Sequence, residues 1–159
     1  MFNLVKYLCC RERENAKYGV EIGGPGGPET YALGLDVVQS DAHNQIVADG
    51  NCLPFKTNSL DYVLSTASIE HIPGEPIAIF QEWVRVLRIG GIIACMAPAL
   101  EFHGKHADHP EHLDWQAPNE YKTEEWKKIV DSIENVEIIQ FDTMQNNMFL
   151  DIVLKKKRS

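Results

Sequence analysis

Between two apolar stretches, YGVEI (residues 18–22) and LGLDVV (33–38), the chain has only ten residues, of which four are glycine and two are proline. A connection between parallel strands normally takes a dozen residues or more and usually contains a helix. The segment GGPGGPETYA (23–32) is too short and too rich in breakers for one, so the first strand is predicted to run into a glycine turn. Glycines also let a ligand approach the backbone closely. A phosphate cradle fits poorly here. GGPGGPE contains no GxGxxG, Pro25 and Pro28 each remove an amide, and the chain has no GK[ST].

The remaining pattern alternates strands and helices. QIVADG (45–50) reads as a short strand and SLDYVLSTA (59–67) as a longer one rich in β-branched and aromatic residues. A helix is predicted over 76–88. Pro76 suits its first turn, Ile77, Phe80, Val84 and Leu87 recur at helical spacing, and Gly90-Gly91 would stop it. IIACMAP (92–98) is a continuous apolar strand. A second helix is predicted with Thr123 as cap and Trp126, Ile129, Val130 and Ile133 on its apolar face. Trp83 and Trp126 read as helix packing. VEIIQFD (136–142) and NMFLDIVLKK (147–156) suggest a hairpin across TMQN.

The expected fold is therefore α/β: a Rossmann-like, mostly parallel sheet with an antiparallel C-terminal hairpin at its edge, shortened at the first crossover. All 159 residues form one compact domain in this reading. It comprises an N-terminal helix (1–17), a polar loop on the substrate side (99–121) and a basic tail (155–159).

Charge narrows the function. The net charge is −8, and residues 19–121 carry fourteen acidic side chains against four basic ones, Lys56, Arg85, Arg88 and Lys105. Such a surface repels phosphate backbones and disfavours a nucleic-acid substrate. KKKR (155–158) could be a surface tag or a solvated tail that ends the last strand. No stretch approaches the roughly 20 apolar residues that span a bilayer. Lys6 interrupts the only apolar run near the N-terminus, which argues against a signal peptide. Cys9, Cys10, Cys52 and Cys95 show no CxxC, and a reducing cytoplasm is the expected location.

Taken together, the blocks VEIGGPG, GLDVV, VADGNCLPFKTNSLDYVLSTASIEHIP and EWVRVLRIGGIIACMAP resemble the class I S-adenosylmethionine-dependent methyltransferases, in particular the compact type 11 group. They cover about 80 positions, from Val20 to Pro98, and the block from Asp49 to Pro73 is the most specific. The resemblance implies S-adenosylmethionine as cofactor and assigns it binding residues. Gly23, Gly24 and Gly26 would lie against its methionine portion, and Glu21 would orient that loop. Asp36 would accept hydrogen bonds from both ribose hydroxyls. Asp49 would accept from the adenine amino group, with the amide of Gly50 or Asn51 near the ring. Ser65 and Thr66 would face the methionine end. In the same resemblance, this chain departs by lacking the helix after the glycine turn and most of the N-terminal lid. A homodimer or a partner chain could cover the gap.

The implied activity is methyl transfer to an oxygen or nitrogen of a small polar substrate, with no membrane involved. His71, in the pair Glu70-His71, is the first candidate for a base, since histidine titrates near neutrality; the pair could equally be a satisfied helix start. His103 and His106 are the other candidates. They belong to HGKHADHPEH, where His109 and His112 also stand. That cluster reads as a substrate loop, a solvated loop or a metal site. No metal ligand is assigned. Trp115 and Tyr121 could stack on a ligand or pin the loop to the body. Asp36 and Asp49 could also be plain turn residues. Two other functions stay open: a degenerate methyltransferase fold that binds cofactor or partners without chemistry, and a metal-dependent hydrolase using His103 to His112.

Overall fold

The computed structural model describes residues 18–27, 32–36, 46–100, 121–143 and 149–158. The expected N-terminal helix with Cys9 and Cys10, the histidine cluster with Trp115, and the TMQN turn lie outside these residues.

Eight strands form one sheet. They are β1 (Gly19–Ile22), β2 (Gly24–Gly27), β3 (Ala32–Asp36), β4 (Ile46–Val47), β5 (Leu60–Thr66), β6 (Leu87–Pro98), β7 (Val136–Thr143) and β8 (Phe149–Lys156). The order along the sheet is β2-β3-β1-β5-β6-β8-β7, with β4 also against β3. Pairs β1/β3, β1/β5, β3/β4 and β5/β6 are parallel, whereas β2/β3, β6/β8 and β7/β8 are antiparallel. This is the Rossmann-like sheet with an antiparallel C-terminal edge that the element pattern predicts.

The glycine segment departs from expectation in one respect. Gly24–Gly27 is itself a strand, antiparallel to β3. The crossover helix is thus replaced by a chain reversal at Gly23, whose φ is +69°. Ideal Cβ atoms at Gly23 and Gly24 would stand 2.4 Å from Ser68 Oγ and 2.5 Å from Glu21 Cδ. At Gly23, with its positive φ against Ser68, only glycine fits that close approach.

Two helices cover one face of the sheet: α1 (Pro76–Val86) and α2 (Thr123–Asp131). Side chains alternate along each strand. Val63, Ile93, Ile152 and Leu154 therefore pack with Phe80, Trp83, Val84, Trp126 and Val130 in a single core, while Leu64 and Ala94 pack with Tyr62 on the opposite face. Phe80, Trp83 and Trp126 are fully buried. Each side chain buried in this way contributes about 1.5–3 kcal/mol.

Several predicted boundaries move for physical reasons. Helix α1 ends at Val86 rather than 88, because Leu87 is already extended (φ −69°, ψ 142°) and opens β6. Its last carbonyls are satisfied from far away in sequence. Lys156 Nζ donates to Val84 O at 2.7 Å and to Leu87 O at 2.8 Å. Gly90 and Gly91 serve the strand instead of stopping the helix. The β5/β6 register shifts here, and a Cβ on Gly91 would lie 2.9 Å from Arg88 O. Ile77 is 38% exposed, and the apolar stripe runs through Ile79, Phe80, Trp83 and Val84. Lys122, not Thr123, occupies the cap position of α2, with its amide donating to Glu125 Oε2 at 2.8 Å. Lys155 and Lys156 belong to β8, so the basic tail starts two residues later than expected.

Candidate functional site

Parallel strands end on the same side, and ligands in open α/β sheets bind beyond those carboxyl ends. Registers Ile22↔Leu35, Ile22↔Ser65 and Asp36↔Val47 bring the glycine turn, Asp36, the Asp49–Asn51 turn and Ser65-Thr66 to one end of the sheet. Of the cofactor residues named from the sequence, Gly26 is the one the chain trace carries away from that end, since it pairs with Leu33 near the start of β3. Gly26 lies in β2, and Asp36 is the last residue of β3.

The turn after β4 is built by hydrogen bonds. Asp49 Oδ1 accepts from the Asn51 amide at 2.8 Å and from Asn51 Nδ2 at 3.1 Å. Asn51 Nδ2 also donates to Pro73 O at 2.8 Å. The amide of Asn51 is thus spent within the turn. Asp49 is exposed, and a carboxylate has lone pairs for further donors. Helix α1 braces this turn from below. Trp83 Nε1 donates to Gly50 O at 3.0 Å, Glu82 Oε1 accepts from the Leu53 amide at 2.8 Å, and Arg85 reaches the carbonyls of Leu53 and Phe55. Arg85 also pairs with Glu82 at 2.6 Å, which lowers the Glu82 pKa through the side-chain hydrogen bond. Arg88 pairs with Asp61 at 2.9 Å. Both arginines of the acidic stretch are therefore engaged internally and do not form a patch for phosphates.

The turn after β5 carries the histidine candidate. Ala67 adopts φ +48°, a strained value for a residue with a Cβ, and Ile69–His71 then forms a single 3₁₀ turn. Ser68 Oγ donates to Thr66 O at 3.0 Å while packing on Gly23, so this turn and the glycine turn are in direct contact. Ser65 is buried at 1% exposure beside Cys95, and Thr66 is half-buried. Of the two, Thr66 is the more accessible to a ligand. Burial raises the Cys95 thiol well above its ordinary pKa, the charge of Glu70 adds to this, and a hydrogen bond with Ser65 opposes it. The Glu21 side chain lies against Gly24.

Sequence reasoning missed two parts of this region. One is the bracing by Trp83, Glu82 and Arg85, which acts across some 30 residues of sequence and leaves no local signal. The other is Glu70. It is 3% exposed, Oε1 lies 3.8 Å from His71 Nε2, and burial pushes its pKa up to about 7. Its only sequence cue is a carboxylate between apolar neighbours in SIEHI.

His103 and His106 lie outside the described residues. Among the described residues, no group of three His, Cys, Asp or Glu side chains could hold a metal ion, and no helix is long and apolar enough to cross a membrane. Tyr121 pins the chain to the body. Its ring meets Trp126 edge-on at 5.3 Å, and its carbonyl accepts from the Leu100 amide at 3.0 Å.

Residues 28–95 match a family model described as a methyltransferase domain. The fold is similar to a chain in the solved complex of the Haloferax volcanii Trm112 methyltransferase activator with its methyltransferase (TM-score 0.76, 15% identity, covering 97% of this chain and 88% of that one). It is also similar to a SAM-dependent methyltransferase from Methanosarcina mazei (TM-score 0.71, 15% identity, 100% and 99% covered). A third similar structure is the [4+2]-cyclase SpnF (TM-score 0.71, 14% identity, 98% and 81% covered). No protein of curated function matches the sequence significantly.

Proposed function

We propose that this chain is a class I S-adenosylmethionine-dependent methyltransferase of the type 11 group, and that it transfers a methyl group to an oxygen or nitrogen of a small polar substrate. The observation that carries this reading is the convergence of the glycine turn, Asp36, the Asp49 turn and Thr66 at the carboxyl end of the parallel strands.

The residues present fit such a cofactor. The reversal at Gly23-Gly24 packs against the side chains of Ser68 and Glu21 at the ligand end of the sheet, and carboxylates follow β3 and β4. Gly23 and Gly24 would receive the methionine portion, Asp36 the ribose, and Asp49 with Gly50 the adenine. Bound there, the sulfonium supplies an activated methyl group. The chain's task is then to hold the acceptor in line and exclude water, which is worth many orders of magnitude in rate. A hydroxyl or protonated amine acceptor also loses a proton. His71, half-buried on the turn after β5, would take it, with His103 and His106 as alternatives. The internally paired arginines and the net charge of −8 support a small molecule over a nucleic acid. The buried free thiol of Cys95 is at home in a reducing cytoplasm.

A second reading has its own support. The first crossover is a glycine hairpin instead of a helix, and the same fold serves a cyclase among the similar structures. A partner-dependent or non-catalytic binder would tolerate that shortening, and one similar structure was solved with an activator. A partner chain, or a second copy, would cover the site.

Calorimetry with S-adenosylhomocysteine tests both readings. Micromolar binding that Asp36→Ala abolishes supports the cofactor site. Absence of binding by folded wild type overturns a self-sufficient methyltransferase. Binding without turnover in an acceptor screen favours the second reading.

A further inference from the structure

Three polar side chains are buried among the described residues: Ser65, Ser68 and Glu70. Ser68 is satisfied by Thr66 O, and Ser65 lies with the Cys95 thiol. Ser65 and Glu70 each keep an enclosed oxygen without a hydrogen-bond partner among the described residues, and Glu70 is the ionisable one. Its Oε2 is enclosed and has no hydrogen-bond partner among the described residues, while Oε1 faces His71 Nε2 at 3.8 Å. Burial raises its pKa to about 7, with a bond from its own backbone pulling weakly the other way. The core does not need a carboxyl at this point, since an uncharged side chain would fill the space without the desolvation cost. A costly ionisable group kept at the ligand-binding end of a sheet, directly behind a histidine, has the hallmarks of a working group.

We propose that Glu70 is the positioning residue for His71: its buried carboxylate holds the imidazolium that forms when His71 takes the acceptor's proton. The inference rests on the methyl-transfer reading for its role, but the pairing itself can be measured without cofactor. During transfer the acceptor's lone pair forms the bond to the methyl carbon. The carbon–sulfur bond breaks with its electron pair staying on sulfur, and the acceptor's proton passes to His71. A carboxylate behind the ring favours the charged imidazole, as in other base–orienter pairs. The titratable groups that face Glu70 among the described residues are His71 on its own turn and Cys95 on β6. Burial keeps the Cys95 thiol neutral, and Asp151 of β8 acts on Cys95.

The test is a pH titration by NMR of protein carrying ¹³C/¹⁵N-labelled histidine, with His71 identified through His71→Asn. Glu70→Gln is expected to weaken the proton affinity of His71 at least threefold. An unchanged His71 midpoint in folded Glu70→Gln would overturn the proposal. Should Glu70→Gln fail to fold, the reciprocal measurement decides. The ¹³C carboxyl signal of Glu70 should titrate differently in His71→Asn than in wild type, and identical curves overturn the pairing. Calorimetry with S-adenosylhomocysteine, run alongside, is expected to give unchanged affinity in Glu70→Gln. Loss of cofactor binding in wild type would count against the methyl-transfer reading and leave the titration result standing.

Discussion

The turn after β1 and the turn after β4 stand at the same end of the sheet, yet one is shaped by what is missing from it and the other by what reaches it. Gly23 and Gly24 press against Ser68 and Glu21 with no room for a Cβ. The Asp49–Asn51 turn is held by its own Asx hydrogen bonds and by Trp83 and Glu82 of α1. The difference predicts how each turn fails. The first should fail sharply, by clash and strain, and the second gradually, one hydrogen bond at a time.

Gly23→Ala should have the largest effect. It forces a Cβ to within 2.4 Å of Ser68 Oγ at φ +69°, and strain plus overpacking together cost about 3 kcal/mol. Urea unfolding checks this, and Ser68→Gly in the same chain should recover the clash but not the strain. If Gly23→Ala were neutral, the contrast between the turns would collapse. Trp83→Phe comes next. The ring still fills the core, but the Gly50 carbonyl loses its buried donor, at a cost of about 2 kcal/mol in chemical denaturation.

The turn after β5 sharpens the comparison with a pH signature. Glu70 has a folded pKa raised from 4.5 to about 7, so wild-type stability is greatest below pH 4.5 on its account and falls as pH climbs through 7. Glu70→Gln lacks this loss. Its thermal stability relative to wild type should therefore rise between pH 4.5 and 7.5, by on the order of 2 kcal/mol or less. A flat difference across that range would show that Glu70 does not titrate as its burial implies. The smallest effect is expected of Ala67→Gly. Relief of the φ +48° strain outweighs the added chain entropy by about 0.5 kcal/mol, a small rise in melting temperature.

These contrasts explain what could be read from the chain. Periodicity and turn residues are local signals, so β1, β5, α1 and the terminal hairpin were legible, as was the short first crossover. β2 was not. Four residues dominated by glycine have no strand propensity, and their pairing with β3 is a tertiary effect. The end of α1 was misplaced because its cap is Lys156, about 70 residues away, while the nearby glycines answer to a close approach between Gly91 and Arg88 O. At the site, glycines and strand-end acids announced themselves by position. Glu70 did not, because a glutamate looks the same in sequence whether it is solvated or enclosed.

The lysine that caps α1 has a consequence for biosynthesis. Lys156 Nζ bridges to residues 58, 84 and 87, and β8 lies between β6 and β7 in the sheet. On a ribosome that releases the chain from its N-terminus, β7 emerges before β8, its partner among the described residues, and α1 emerges long before its cap. Until residue 156 clears the exit tunnel, the nascent chain holds an unpaired strand and an open helix end. Folding of this sheet is therefore expected to finish only then, leaving an aggregation-prone intermediate for chaperones to shield.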